Sequence, residues 1–119
     1  MPPTVERLEP GVYFLTWEGV ITRDELLEFM RMRETLANQY DDTDYVLIAD
    51  LTKATMREYD IRTTRRAIED RRIVAIFVIN PSIVIQTLIN MLRQITKLTI
   101  ENCSSYEEAL ARAHEALAR

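Results

Sequence analysis

The spacing of apolar and polar positions changes several times along the chain, and each change marks an element. Residues Thr4–Glu9 alternate weakly, with Val5 and Leu8 as the apolar members, and Pro10-Gly11 is a turn signal. A second short strand over 12–17 follows, so the opening reads as a β-hairpin. Gly19 interrupts the pattern before Val20 and Ile21. Thr22-Arg23-Asp24-Glu25 has the form of a capping box, in which the threonine hydroxyl accepts from the third amide and the glutamate reaches back. A helix beginning at Arg23 then carries Leu26, Phe29, Met30, Arg33 and Ala37 at three- and four-residue spacing, with Leu27 and Leu36 widening the stripe.

After a polar loop bearing Asp41, Asp42 and Asp44, residues 45–49 are nearly continuous apolar sequence. That is the pattern of a strand buried on both faces by crossover helices. A second helix is predicted over 59–70, with only Ile61, Ala67 and Ile68 apolar along it. Ile73–Ile79 is the most hydrophobic run and predicts another central strand; Asn80-Pro81 ends it and Ser82 caps the next helix. That third helix, over 83–96, has more apolar positions than one buried stripe requires. A short strand at 98–100 and a second capping box at Ser105-Tyr106-Glu107-Glu108 lead into a last helix with Tyr106, Ala109, Leu110, Ala113 and Leu117 on one face.

The predicted order is β-β-α-β-α-β-α-β-α, an α/β fold with a single mixed, largely parallel sheet flanked by helices. At 119 residues the chain suits one domain spanning 1–119. Ligands and partners of open α/β sheets gather beyond the carboxyl ends of the strands, which directs attention to residues 50–60.

Charge and inventory narrow the chemistry. A net charge of −4 argues against nucleic acid as the main partner. One cysteine excludes an intramolecular disulfide framework and suits a reducing cytoplasm, and neither a signal peptide nor an 18-residue apolar run is present. With one histidine, one cysteine and two glycines, the sequence offers no zinc-ligand spacing, no nucleophilic triad and no phosphate loop. His114 falls within the last amphipathic helix, away from every predicted strand end, and reads as structural. The Asp41, Asp42 and Asp44 group reads as a loop rather than a metal site. No catalytic residue, metal or cofactor is therefore expected.

Two features stand out as surfaces. Arg57, Arg62, Arg65, Arg66, Arg71 and Arg72 cluster around the second helix, and their guanidinium forks suit carboxylate or phosphate partners. The competing reading is a solvated face held by the four-residue pairs Glu58/Arg62, Arg65/Glu69 and Arg66/Asp70. Thr52, Thr55 and Tyr59 add hydroxyls to the connection after the buried strand. The surplus apolar surface of the third helix, represented by Ile85, Ile89 and Leu92, predicts a deep core, a pocket wall or a homodimer face.

Several local patterns, taken in order, resemble the STAS domains and in particular their SpoIIAA-like branch, related to anti-sigma factor antagonists. They are Trp17-Glu18-Gly19-Val20-Ile21-Thr22 leading to Asp24-Glu25, Leu47-Ile48-Ala49-Asp50-Leu51-Thr52, Ala75-Ile76-Phe77-Val78-Ile79-Asn80-Pro81, and Ser105-Tyr106-Glu107-Glu108-Ala109-Leu110. The resemblance implies a regulatory protein-interaction module without chemistry of its own. Phosphoregulated members carry an Asp-Ser-Ser-Gly-Leu-like turn with the phosphorylated serine at the start of the second helix. Laid over this chain, that turn falls on Glu58-Tyr59-Asp60-Ile61-Arg62, which lacks both serines and the glycine. Asp60 then stands at the serine position, a fixed negative charge in place of the switch. The expected binding surface comprises Asp50, Thr52, Thr55, Tyr59, Asp60, Arg62 and Arg66. The alternative is an α/β carrier for a lipid or other small hydrophobic ligand, with the third helix as pocket wall.

Overall fold

The computed structural model describes residues 2–119 and contains five strands and four helices. They are β1 (Thr4–Glu9), β2 (Val12–Val20), α1 (Arg23–Tyr40), β3 (Tyr45–Thr55), α2 (Ile61–Ala67), β4 (Ile73–Ile79), α3 (Ile83–Ile95), β5 (Thr99–Cys103) and α4 (Tyr106–Leu117). The sheet order is β1-β2-β3-β4-β5, with β1 antiparallel to β2 and every later pair parallel.

That order fixes where the helices lie. Three successive crossovers of one hand, each advancing one strand in the same direction, must all pass over the same face. Residues of α1, α2 and α3 accordingly share one core with Leu15, Leu47 and Ile76 of the sheet. The opposite face, bearing Val12, Val46, Ile48 and Phe77, is left to α4, which lays Ala109 and Ala113 upon it. The alternating face assignments in β3 and β4 explain why both read as unbroken apolar runs.

The helix starts follow the capping chemistry. Thr22, Ser82 and Ser105 each accept a hydrogen bond from the backbone amide three residues on. At the hairpin, Gly11 has a φ of +78°, and a Cβ there would lie 3.3 Å from the Asp44 carbonyl oxygen. The Gly11 carbonyl also accepts from Val46 N, so this turn sets the register of β2 against β3.

Element lengths depart from expectation in four places. β2 continues through Gly19, whose φ of +81° is accommodated within the strand, as far as Val20. β3 runs to Thr55 rather than stopping at Ala49, because Glu18, Gly19 and Val20 pair with Lys53, Ala54 and Thr55. α2 covers only Ile61–Ala67 instead of 59–70, and β5 is Thr99–Cys103 instead of 98–100. A helix of seven residues cannot form the four-residue pairs predicted along it. Among the described residues Glu58/Arg62, Arg65/Glu69 and Arg66/Asp70 form no ion pairs, and Asp70 binds Arg33 and Arg72 instead.

Candidate functional site

The carboxyl end of the sheet is stepped. Pairing between β3 and β4 ends at Asp50 opposite Ile79, while β3 goes on beside β2 for five more residues. The register shifts at this step, and side-chain parity changes with it: Leu47, Ala49 and Leu51 face the three-helix core, and beyond the shift Ala54 and Met56 do so. Asp50 holds the irregular backbone. Its Oδ1 accepts from Thr52 N at 3.1 Å and from the Thr52 hydroxyl at 2.6 Å. Asn80, left-handed at φ 48°, donates from Nδ2 to Thr52 Oγ1 at 3.5 Å, and its own amide is held by the Cys103 carbonyl.

Of the residues expected to form a surface, the structure joins Asp50 and Thr52 and adds Asn80. Thr55 contributes its carbonyl to Ile21 N at 2.8 Å and leaves its side chain exposed. Tyr59 is exposed in the connection to α2. Asp60 caps α2, accepting from Thr63 N at 3.0 Å. That backbone bond, aided by the Thr63 side chain and by the charges of Arg23 and Arg62, holds the Asp60 carboxyl below the usual carboxylate range against the opposing effect of burial. Arg62 and Arg66 are exposed and take part in no ion pair among the described residues. No hydrogen bond or ion pair among the described residues links the Asp50 group with the Asp60 group, so the expected surface consists of two adjoining parts of the chain.

The α3 residues lie elsewhere. Ile85, Ile89 and Leu92 are 2%, 4% and 3% exposed and point into the core shared with the sheet. They are unavailable as a homodimer face unless the layer opens. Val84 packs against the same core, and the strongly exposed apolar residues of α3 are Ile83 and Ile95 at its two ends. The surplus of apolar positions is thus absorbed by a deep core. Ile85, Ile89 and Leu92 do line an apolar cavity of about 90 Å³ between α3 and the sheet.

The strongest electrostatic arrangement is at the amino end of the strands. Arg33 is fully buried and donates to Asp70 Oδ2 at 2.9 Å, to the Tyr45 hydroxyl at 3.0 Å and twice to the Ala67 carbonyl. Tyr45 stacks on Tyr13, whose hydroxyl donates to Asp42 at 2.6 Å, and Arg7 completes the chain of contacts with Asp42 at 3.0 Å. Burial pushes the Tyr45 hydroxyl up to about 12. Asp42 is therefore an ion-pair partner rather than part of a solvated loop. The available signal was Arg33 itself, a charged residue in register with an apolar stripe. His114 lies at this same end, paired with Glu9, which places it far from the strand-end surface. Among the described residues no three His, Cys, Asp or Glu side chains converge as a metal site.

Neither a family profile nor any curated protein sequence matches the chain. Solved structures do. The unphosphorylated form of the anti-sigma factor antagonist SpoIIAA superposes with a TM-score of 0.58 at 12% identity, over 94% of this chain and 97% of that one. The fold is that of SpoIIAA. The phosphorylated form of the Bacillus cell fate determinant SpoIIAA gives a TM-score of 0.62 at 14% identity, covering 92% of this chain and 97% of that one. A DUF3478-family protein with a SpoIIAA-like fold from Shewanella loihica gives 0.68 at 10% identity, over 93% and 91% of the two chains. At these identities the SpoIIAA likeness carries the architecture, and function rests on the residues.

Proposed function

We propose that the chain is a non-enzymatic regulatory module that docks a protein partner through the carboxyl end of its sheet and the front of α2. The observation that carries this reading is Asp60. Its carboxylate caps α2, is ionised well below neutral pH, and stands beside exposed arginines that have no ion-pair partner among the described residues. The SpoIIAA-like resemblance puts the regulatory serine at this position, and one similar structure is of a SpoIIAA in phosphorylated form. A carboxylate supplies part of that charge permanently, so the surface would be constitutively competent rather than switched. The partner's complementary face would carry carboxylates for Arg62 and Arg66 and a donor for Asp60.

A cytoplasmic setting fits the unpaired, buried Cys103 thiol, and no described helix is long and apolar enough to cross a membrane. The carrier reading has less support. A cavity of about 90 Å³ is far below the roughly 300 Å³ and more of drug-sized ligand pockets, and a lipid chain would not fit it.

The test compares proteins captured from source-cell extract by wild type, Asp60→Asn, Arg62→Glu and, as a distant control, Arg112→Glu on α4. A specific protein retained by wild type and the α4 control but lost by the two α2 variants supports the reading. Capture indifferent to both α2 variants and abolished by Arg112→Glu refutes it.

A further inference from the structure

We infer that the groove at the amino ends of β4 and β5 is a docking site for an acidic, partly apolar peptide segment of a second protein, separate from the surface at the carboxyl end of the sheet. The groove has a volume of about 640 Å³ and lies where α2 gives way to β4 and α3 to β5. Its floor is apolar. Ile68 and Leu98 are half-buried, and Val74 and Ile95, 37% and 45% exposed, are among the large hydrophobic residues that the fold leaves open to water. Ile95 is part of the α3 surplus that the deep core does not absorb. Apolar surface bounded by polar side chains in this way is the mark of an interaction site.

The rim decides the partner's chemistry. Arg65 in the last turn of α2, Arg71 before β4 and Lys97 before β5 are all exposed, and none takes part in an ion pair among the described residues. The carboxylates of the rim are Glu69 and Asp70, and Asp70 is already engaged by Arg33 and Arg72. Three cations against Glu69 leave a local positive excess on a chain whose net charge is −4. An anionic occupant complements that rim, and the carbon floor favours one that is apolar as well. The cations come from three separate segments, and one carboxylate accepts one guanidinium fork. A small molecule with a single carboxylate would therefore leave cations unmatched, whereas a peptide with several can meet them. Single-stranded nucleic acid is held by aromatic stacking, and no aromatic side chain lines the groove among the described residues. Anionic bilayers are bound by clusters of about four to eight Lys or Arg, more than this rim carries, and a recessed floor does not reach a flat surface. The peptide lies in the groove rather than extending the sheet, because Arg93 Nε donates to the Ile100 carbonyl at 2.7 Å and blunts the edge strand β5.

The test titrates ¹⁵N-labelled protein with a peptide of four Leu-Glu repeats and, in parallel, with four Leu-Lys repeats, four Ser-Glu repeats and phosphatidylserine vesicles. The Leu-Glu peptide should shift the amides of 65–74 and 95–99 to saturation, more tightly at low salt than at high; the Ser-Glu peptide should bind there more weakly and the Leu-Lys peptide not at all. Arg71→Gln and Lys97→Gln should each weaken the Leu-Glu peptide roughly two- to fivefold, the worth of one exposed ion pair, and Ile95→Gln by a similar factor. Arg23→Gln, at the opposite end of the sheet, should leave its affinity unchanged. All four substitutions are at exposed positions and leave the core intact. No saturable shift with the Leu-Glu peptide, equal binding of the Leu-Lys or Ser-Glu peptide, or an affinity unchanged in Arg71→Gln and Lys97→Gln would each overturn the inference. Shifts at 65–74 and 95–99 with the vesicles but not with the Leu-Glu peptide would assign the face to a membrane and overturn it equally.

Discussion

Asp70→Asn keeps the shape of the side chain that balances the buried Arg33 and removes its charge. In the wild type Asp70 receives Arg33 at 2.9 Å, Arg72 at 2.8 Å and the Tyr45 hydroxyl at 3.0 Å. Removing one member of a buried pair costs roughly 3–5 kcal/mol. Arg33 would keep Tyr45 and the Ala67 carbonyl, so the lower end, about 3 kcal/mol, is expected. For a domain of this size that corresponds to a Tm lower by roughly 10–18 °C. The pH dependence gives an independent estimate. Burial pushes the Asp70 carboxyl up, but hydrogen bonds from the Arg72 side chain and amide and from Tyr45 outweigh it and bring it to about 2. A depressed carboxylate stabilises the fold above its unfolded value and loses that contribution as pH falls through its folded value. Nearly two pH units correspond to about 2.5 kcal/mol, lost between about pH 4 and pH 2. Urea unfolding of both proteins from pH 7 to pH 2.5 should therefore show a gap of about 3 kcal/mol that narrows below pH 4. A gap under about 1 kcal/mol at pH 7, or one that stays constant down to pH 2.5, would refute the assignment of Asp70 as the anchor of Arg33.

At the α2 cap, Asp60→Ala should lower stability by about 1 kcal/mol and Asp60→Asn by only a few tenths, read from urea midpoints, because asparagine caps as well as aspartate. Ile89→Ala should cost about 2–5 kcal/mol in the same assay without changing the molar mass measured by light scattering, since Ile89 faces the core and not a second copy. Cys103 is buried in β5 and burial pushes its thiol up. A thiol reagent at pH 8 should thus modify it slowly in the native protein and rapidly in urea; equal rates would contradict its burial.

The architecture was legible because its signals are local. The apolar run Ile73–Ile79 and the caps at Thr22, Ser82 and Ser105 each announce an element without reference to the rest of the chain. The extension of β3 to Thr55 was not legible, since it depends on pairing with 18–20 of β2 across a register shift. α2 was overestimated because its arginine-rich sequence permits helix well beyond Ala67, whereas Asp70 is drawn away to Arg33, a contact 37 residues distant. The same long-range contact explains Arg33, which the stripe placed in the core without revealing its partners. At the strand end, the nearness of Asp50 and Thr52 is legible from their positions in the sequence, but the contact with Asn80 is not, because it follows from a left-handed backbone and a neighbouring strand. The inward orientation of Ile85, Ile89 and Leu92 could not be separated from an outward one by composition, as both readings require the same residues.

The proposed partner protein docks on the strand-end connection and the front of α2. Amide hydrogen exchange of the chain, alone and saturated with the captured partner, tests it most directly. Protection concentrated at 51–66, with α4 and β1 unchanged, is the predicted result. Protection confined to α4 or to the β1 edge, with 51–66 exchanging as in the free protein, would contradict it.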